Sequence, residues 1–153
     1  MLAVAIRRRR AGWLALLLAA SIAFTALPSQ PAQARATLEG ELQTRHNHAR
    51  WTREIRRLTL SASLSQKAER HSRAMAARGY IYHSRCLTCV FSGYSWSVGG
   101  ENVGVGASIR SLHRAFMDSP PHRRNVLYRS YRYVGIGVVR SGGRLWVTVL
   151  FMG

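Results

Sequence analysis

The 153-residue sequence predicts an α+β domain in which helices pack on a small sheet. Three observations carry this. Apolar residues recur at helical spacing through the first half, glycine, serine and aromatics crowd the middle, and two apolar runs joined by glycines close the chain. Residues 38–58 read as the first helix, with Leu38, Leu42, Ala49 and Ile55 on one face and Arg45, Arg53, Arg56 and Arg57 toward solvent. Thr59 and Leu60 form a short extended link. Ser61 or Ser63 caps a second helix reaching about Ala77, with Leu64, Ala68, His71 and Met75 at helical spacing, and Arg78-Gly79 ends it. Residues 80–106 read as irregular. A third helix starts near Ala107 with Ile109, Leu112 and Phe116 inward, Pro120-Pro121 stops it, and residues 122–127 add one further turn. Residues 133–140 and 144–152, joined through Ser141-Gly142-Gly143, read as a β-hairpin.

Charge narrows the possibilities. Lys and Arg number 23 against 6 acids, a formal charge of +17, and Lys67 is the only lysine. Apolar residues make up 47%, ordinary for a folded domain and too many for a disordered basic tail. The acids are Glu39, Glu41, Glu54, Glu69, Glu101 and Asp118, too scattered for an EF-hand loop. Two cysteines exclude a four-cysteine zinc site, Lys67 lies in no phosphate-binding glycine loop, and no segment repeats at a fixed period.

The N-terminus reads as a secretory leader. Arg7 to Arg10 form a cationic block, an uncharged run spans residues 11–27, Pro28 and Pro31 break it, and Ala32-Gln33-Ala34 offers small residues for cleavage. The expected division is a signal peptide over 1–34 and a single domain over 35–153. Removing four arginines and no acid lowers the charge from +17 to +13. The alternative is an uncleaved membrane anchor, and the arginine block also contains the pair of a twin-arginine signal. An exported chain meets oxidising conditions, so Cys86 and Cys89 suit a local disulfide contributing roughly 2 kcal/mol. The other reading of Cys-Leu-Thr-Cys is a redox dithiol, but the surrounding loop composition lacks the strand-to-helix context that chemistry needs.

With acids so scarce, Glu101 is the carboxylate to explain. It lies in Gly99-Gly100-Glu101-Asn102-Val103-Gly104, where glycines permit close backbone approach and Asn102 can tie the loop down. His83 and His122 sit at breaks in the pattern. Two imidazoles and one carboxylate make a ligand set with an open position, as in hydrolytic zinc sites, although spacing alone does not bring them together. His71 reads as a hydrogen-bonded core residue, and His46, His48 and His113 as partly exposed helix positions. A serine triad of Ser84 or Ser119 with Asp118 is arithmetically available but lacks a nucleophile elbow.

These residues together resemble the CAP superfamily, the cysteine-rich secretory, antigen 5 and pathogenesis-related proteins, and most closely its short bacterial secreted members. Asn47-His48-Ala49-Arg50 matches the family's Asn-x-x-Arg, and Ala68, His71 and Ser72 match its Ala-x-x-His-Ser. Residues 80–84 correspond to its G-[YF]-x-x-H-S segment and residues 100–103 to its Gly-Glu-Asn-[IVL] signature. Residues 116–127 resemble its W-x-x-S-P-G-H-R-x-N-I-L element, with Phe116 in place of tryptophan, and residues 133–138 its G-[IV]-G strand.

The resemblance implies a three-layer α-β-α sandwich with a small, mainly antiparallel sheet. It also implies a cleft where two histidines and two acids meet and, in several members, hold a divalent cation. Carried over by motif, these are His83, His122 and Glu101. The second acid is missing from its usual place, where Ser119 falls nearest with Asp118 beside it. That departure implies weaker hold on zinc or another divalent cation.

The expected function is a secreted, non-enzymatic binding module at the envelope or outside the cell. Its arginines favour an anionic envelope polymer or lipid surface. The alternative is a metal-assisted hydrolase using the same cleft, with Glu101 as ligand or general base. Tyr128, Tyr131 and Tyr133 beside Arg129 and Arg132 superficially suit nucleic acid, but export argues against a specific nucleic-acid partner, and the membrane enters only through an uncleaved leader.

Overall fold

A computed structural model describes residues 32–153 as five helices and four strands. Most of the expected leader lies outside the described residues. Helix α1 spans Ala32–Trp51, β1 Thr59–Leu60, α2 Ala62–Arg78, α3 Leu87–Val90 and β2 Gly99–Gly106. Helices α4 (Ile109–Asp118) and α5 (Pro120–Leu127) follow, then β3 (Tyr133–Ser141) and β4 (Arg144–Met152). The sheet order is β1-β3-β4-β2, antiparallel except for the short parallel pairing of β1 with β3. Among the described residues no helix is long and apolar enough to cross a membrane.

Local chemistry explains the boundaries. The Ser61 side chain accepts from Leu64 N at the start of α2, and Gly79, at φ 76°, closes its end by donating to Met75 O. Ser108 and Ser111 form a reciprocal capping box on α4. Pro120 and Pro121 both stop α4 and open α5, where a missing N–H and a preset φ are harmless. Gly142 and Gly143 both take positive φ between paired Ser141 and Arg144, the backbone of a tight type I′ hairpin.

Two expectations need correction. The first helix ends at Trp51 rather than near Leu58, because the chain turns sharply through Glu54, a non-glycine residue at φ 54°. Residues 99–106, expected to be irregular, form β2, which pairs along its whole length with β4. Its apolar alternation is invisible because glycine occupies the positions that face α4: a Cβ on Gly104 would press on Leu112 and Phe116.

Strand β4 shows how the layers are built. Leu145, Val147, Val149 and Phe151 join the core beneath α1, α4 and α5. Trp146, Leu150 and Met152 face the other way, into clusters with Met75, Leu64 and Ala68 of α2. Both faces are covered, so nearly every β4 residue is buried. Helix α2 lies against β3 because Gly135 and Gly137 carry no side chain there; a Cβ would collide with the backbone of Leu64 or of Ala68 and Glu69. Polar groups at this contact are paired: Ser72 Oγ donates to Gly137 O at 2.9 Å, and Ser65 Oγ accepts from Ile136 N at 3.0 Å. The buried hydrophobic residues all fall between Leu42 and Met152.

Arg50 is the largest fully buried side chain among the described residues. No carboxylate among the described residues pairs with it. Its guanidinium donates to Arg56 O at 2.7 Å, Val126 O and Tyr128 O at 2.9 Å, and Tyr131 O at 3.1 Å. Burial lowers its pKa to about 10, so the cation persists at neutral pH. Replacing it by Met leaves four carbonyls without their donor. At about 1–3 kcal/mol for each carbonyl that water cannot reach, urea denaturation of Arg50→Met is expected to show a loss of at least about 3 kcal/mol.

His46 corrects a second reading of α1. It is 1% exposed rather than partly exposed, wedged between Phe116 and Phe151. Its Nδ1 lies 2.9 Å from His113 Nδ1, and its Nε2 is buried without a partner. Burial, then the neighbouring His113 and Arg50, lower its pKa from 6.5 to about 3. The folded state thus holds His46 neutral, and its contribution to stability is complete above pH 6.5 and lost as pH falls from there toward 3. Over that window the loss should approach about 1.4 kcal/mol per pH unit, seen as a falling urea midpoint that His46→Phe flattens.

Candidate functional site

Strand β2 lies at the sheet edge, and consecutive residues on a strand point to opposite faces. Glu101 projects to the α2 face and Asn102 to the α5 face. Each fastens one of the two sequence-predicted histidines. The Glu101 carboxylate, 6% exposed, takes His83 Nδ1–H on Oε2 at 2.8 Å, Ser84 N–H on Oε2 at 2.9 Å and the Ser84 hydroxyl on Oε1 at 2.6 Å. His71 Nε2 stands 3.9 Å from Oε1 while donating to Tyr82 O at 2.8 Å, which holds the 80–84 loop over the carboxylate. On the other face the Asn102 amide donates to His122 O at 3.0 Å. Asn125 of α5 donates to Asn102 Oδ1 and Glu101 O, clamping helix to strand.

Gly100 makes this clamp possible. A Cβ there would run into Tyr131 Oη and Asn125 Oδ1. The glycine, glutamate and asparagine of the motif thus have distinct tasks: close approach, anchoring of His83, and anchoring of the His122 backbone.

The His83 side chain is 60% exposed, and with Nδ1–H given to Glu101 its Nε2 lone pair is left for solvent or a ligand. His122 is half-buried with its ring 5.5 Å from Phe116. Burial lowers its pKa, and the charge of His83 lowers it further. The carboxylate already accepts three hydrogen bonds. Asp118 is exposed and Ser119 caps α5 through its backbone alone. Among the described residues no three His, Cys, Asp or Glu side chains form a group at metal-binding separation. Ser84 donates to the carboxylate rather than to an imidazole, so it is not arranged as a triad nucleophile.

Cys86 and Cys89 form a disulfide around the single turn of α3. It closes two residues beyond Ser84 and tightens the segment that delivers His83. Sequence reasoning missed His71, Ser84 and Asn125 as partners of this cluster. Ser84 carried a signal, as the residue following His83 in the His-Ser pair.

Comparison with known proteins agrees with the motifs. Residues 43–151 match the family model described as CAP, cysteine-rich secretory protein family. The chain belongs to the CAP family. The CAP domain is 30% identical over 114 residues to Uncharacterized protein YkwD of Bacillus subtilis strain 168, covering 70% of this chain and 44% of that one. It therefore spans less than half the length of that relative. In structure it is similar to an extracellular protein containing an SCP domain from Bacillus anthracis, with TM-score 0.71, 20% identity, and coverage of 83% of this chain and 45% of that one. It is also similar to NaASP2 determined with Zn²⁺, with TM-score 0.61, 10% identity, and coverage of 79% and 82%. At these identities the likeness is one of fold.

Glu101 is the hub of this hydrogen-bonded cluster, and its removal has a defined consequence. Glu101→Ala leaves two Ser84 donors and His83 Nδ1–H unanswered. Urea denaturation should register a loss of about 2 kcal/mol or more, and the Ser84 amide should lose its protection from hydrogen exchange.

Proposed function

We propose that this CAP domain is a secreted, non-enzymatic binding module whose cleft holds a divalent cation, zinc included, between His83 and His122. The supporting observation is the 2.8 Å hydrogen bond from His83 Nδ1 to Glu101 Oε2. It fixes the tautomer that presents Nε2 outward, the arrangement a carboxylate gives to metal-binding imidazoles. His122 supplies the second imidazole. Glu101 then serves as the positioning residue of His83, and solvent or Asp118 completes the shell, which makes for weak hold. The cation fits two nitrogen donors at an open cleft. When bound it offers Lewis acidity toward an oxygen-bearing ligand. A relative of the same fold has been determined with Zn²⁺. Export follows from the leader at residues 1–34, and a net charge of +13 after its removal favours anionic partners at the envelope or beyond the cell.

The test uses residues 32–153, which contain the whole described core. Thermal or urea stability is measured with and without Zn²⁺ in the parent domain, His83→Ala and His122→Ala. At a zinc concentration about a hundred times Kd the parent should gain about 2.7 kcal/mol, and both variants should lose most of that gain. A parent that gains nothing overturns the cation reading. Zinc-dependent turnover of esters, peptides or cell-wall fragments overturns the non-enzymatic part and favours a hydrolase.

A further inference from the structure

We infer that the edge of the domain built by residues 51–57 and 128–133 is a docking surface for an anionic lipid bilayer. It contains none of the cleft residues, so it stands or falls independently of cation binding.

These two stretches are far apart in sequence, and Arg50 binds them into one surface. Its guanidinium bonds Arg56 O on one stretch and Tyr128 O and Tyr131 O on the other. Thr59 N donates to Arg132 O at 2.8 Å, and Arg129 Nη1 reaches Glu54 O at 3.5 Å. The surface therefore rides on a buried, fully bonded joint rather than on loose loops.

Its chemistry is one-sided. Arg53, Arg56, Arg57, Arg129 and Arg132 are all exposed there, against the single acid Glu54. The side chains of Arg56, Arg57 and Arg132 make no hydrogen bond, ion pair or ring contact within the described residues. Among these cations stand Trp51, 60% exposed, and Tyr128, 42% exposed. Large amphipathic rings left in water beside unpaired arginines match the headgroup region of a membrane, where indole and phenol rings settle and cations meet lipid phosphates. The groups project from two turns. A cavity of about 420 Å³ lies elsewhere, against Lys67, Arg70 and His71 of α2. A flat anionic surface fits turns of this kind better than a polymer strand, which is usually tracked along a positively charged groove.

The experiment measures partition of residues 32–153 onto phosphatidylcholine vesicles with and without phosphatidylglycerol, at low and high salt, together with tryptophan emission. The parent should bind the anionic vesicles only, release at high salt, and shift its emission to the blue. Arg56→Gln with Arg57→Gln should weaken partition by about fivefold per arginine removed. Trp51→Ala should weaken it again and abolish most of the blue shift. Arg70→Gln with Arg73→Gln, the same charge change on α2, should leave partition within about twofold. Unchanged thermal stability of each variant confirms that folding is not the cause. No binding to anionic vesicles overturns the inference. Equal weakening by the α2 pair reduces the effect to net charge and also overturns it. Binding to a soluble polyanion as tight as to vesicles, with no dependence on Trp51, assigns the surface to a polymer instead.

Discussion

The fold depends on a buried arginine that no acid neutralises. Burying a cation is tolerable only when its donors are answered, and Arg50 is answered by carbonyl oxygens alone. These come from the turn after α1, the C-terminal end of α5 and the segment entering β3. Three chain segments separated by up to 81 residues must therefore arrive together. Asn47, one turn earlier, repeats the device in neutral form: its side chain accepts from Leu58 N and donates to Leu58 O, like a strand partner. Together they explain why α1 stops where it does and why Thr59 and Leu60 are delivered as a strand beside β3.

The same joint reaches the cluster around Glu101 and Asn102. Helix α5 carries His122 and Asn125, and Arg50 holds its C-terminal carbonyls. At its other end, Asn102 and Asn125 hold it to the edge of β2. His83 comes from the opposite face of the sheet, on a loop tied down by His71, Ser84 and the nearby disulfide. Adjacent residues of one strand point in opposite directions, so Glu101 and Asn102 fasten the two histidine-bearing segments from opposite faces of β2. The placement of Glu101 also assigns its chemistry. A carboxylate with three donors bound is a rigid acceptor, better suited to orienting His83 than to moving protons.

Much of this was legible in the residues. The hairpin and its turn follow from apolar runs flanking Ser141-Gly142-Gly143, a serine cap places the start of α2, and apolar spacing with a proline stop places α4. Acid scarcity and residue type single out Glu101, His83 and His122, and the family motifs point to the same three. Where the reading failed, it failed for physical reasons. Strand β2 reads as irregular because glycines stand where apolar residues would mark a face. His46 reads as a partly exposed helix position, yet its side chain lies between Phe116 and Phe151, far along the chain. His71 gave the helical spacing of a core residue, which it partly is, and no sign that it stands 3.9 Å from Glu101.

Periodicity and turn chemistry act within a few residues, so the order of helices, the hairpin and the motif residues could be read from the chain alone. Partnership is different. Which carbonyls satisfy Arg50, which imidazole the Glu101 carboxylate orients, and which arginines of residues 128–133 come to lie beside Trp51 depend on groups up to 81 residues apart. Such pairings are selected by the folded core, where each buried polar group must find a partner, and local sequence carries no record of them.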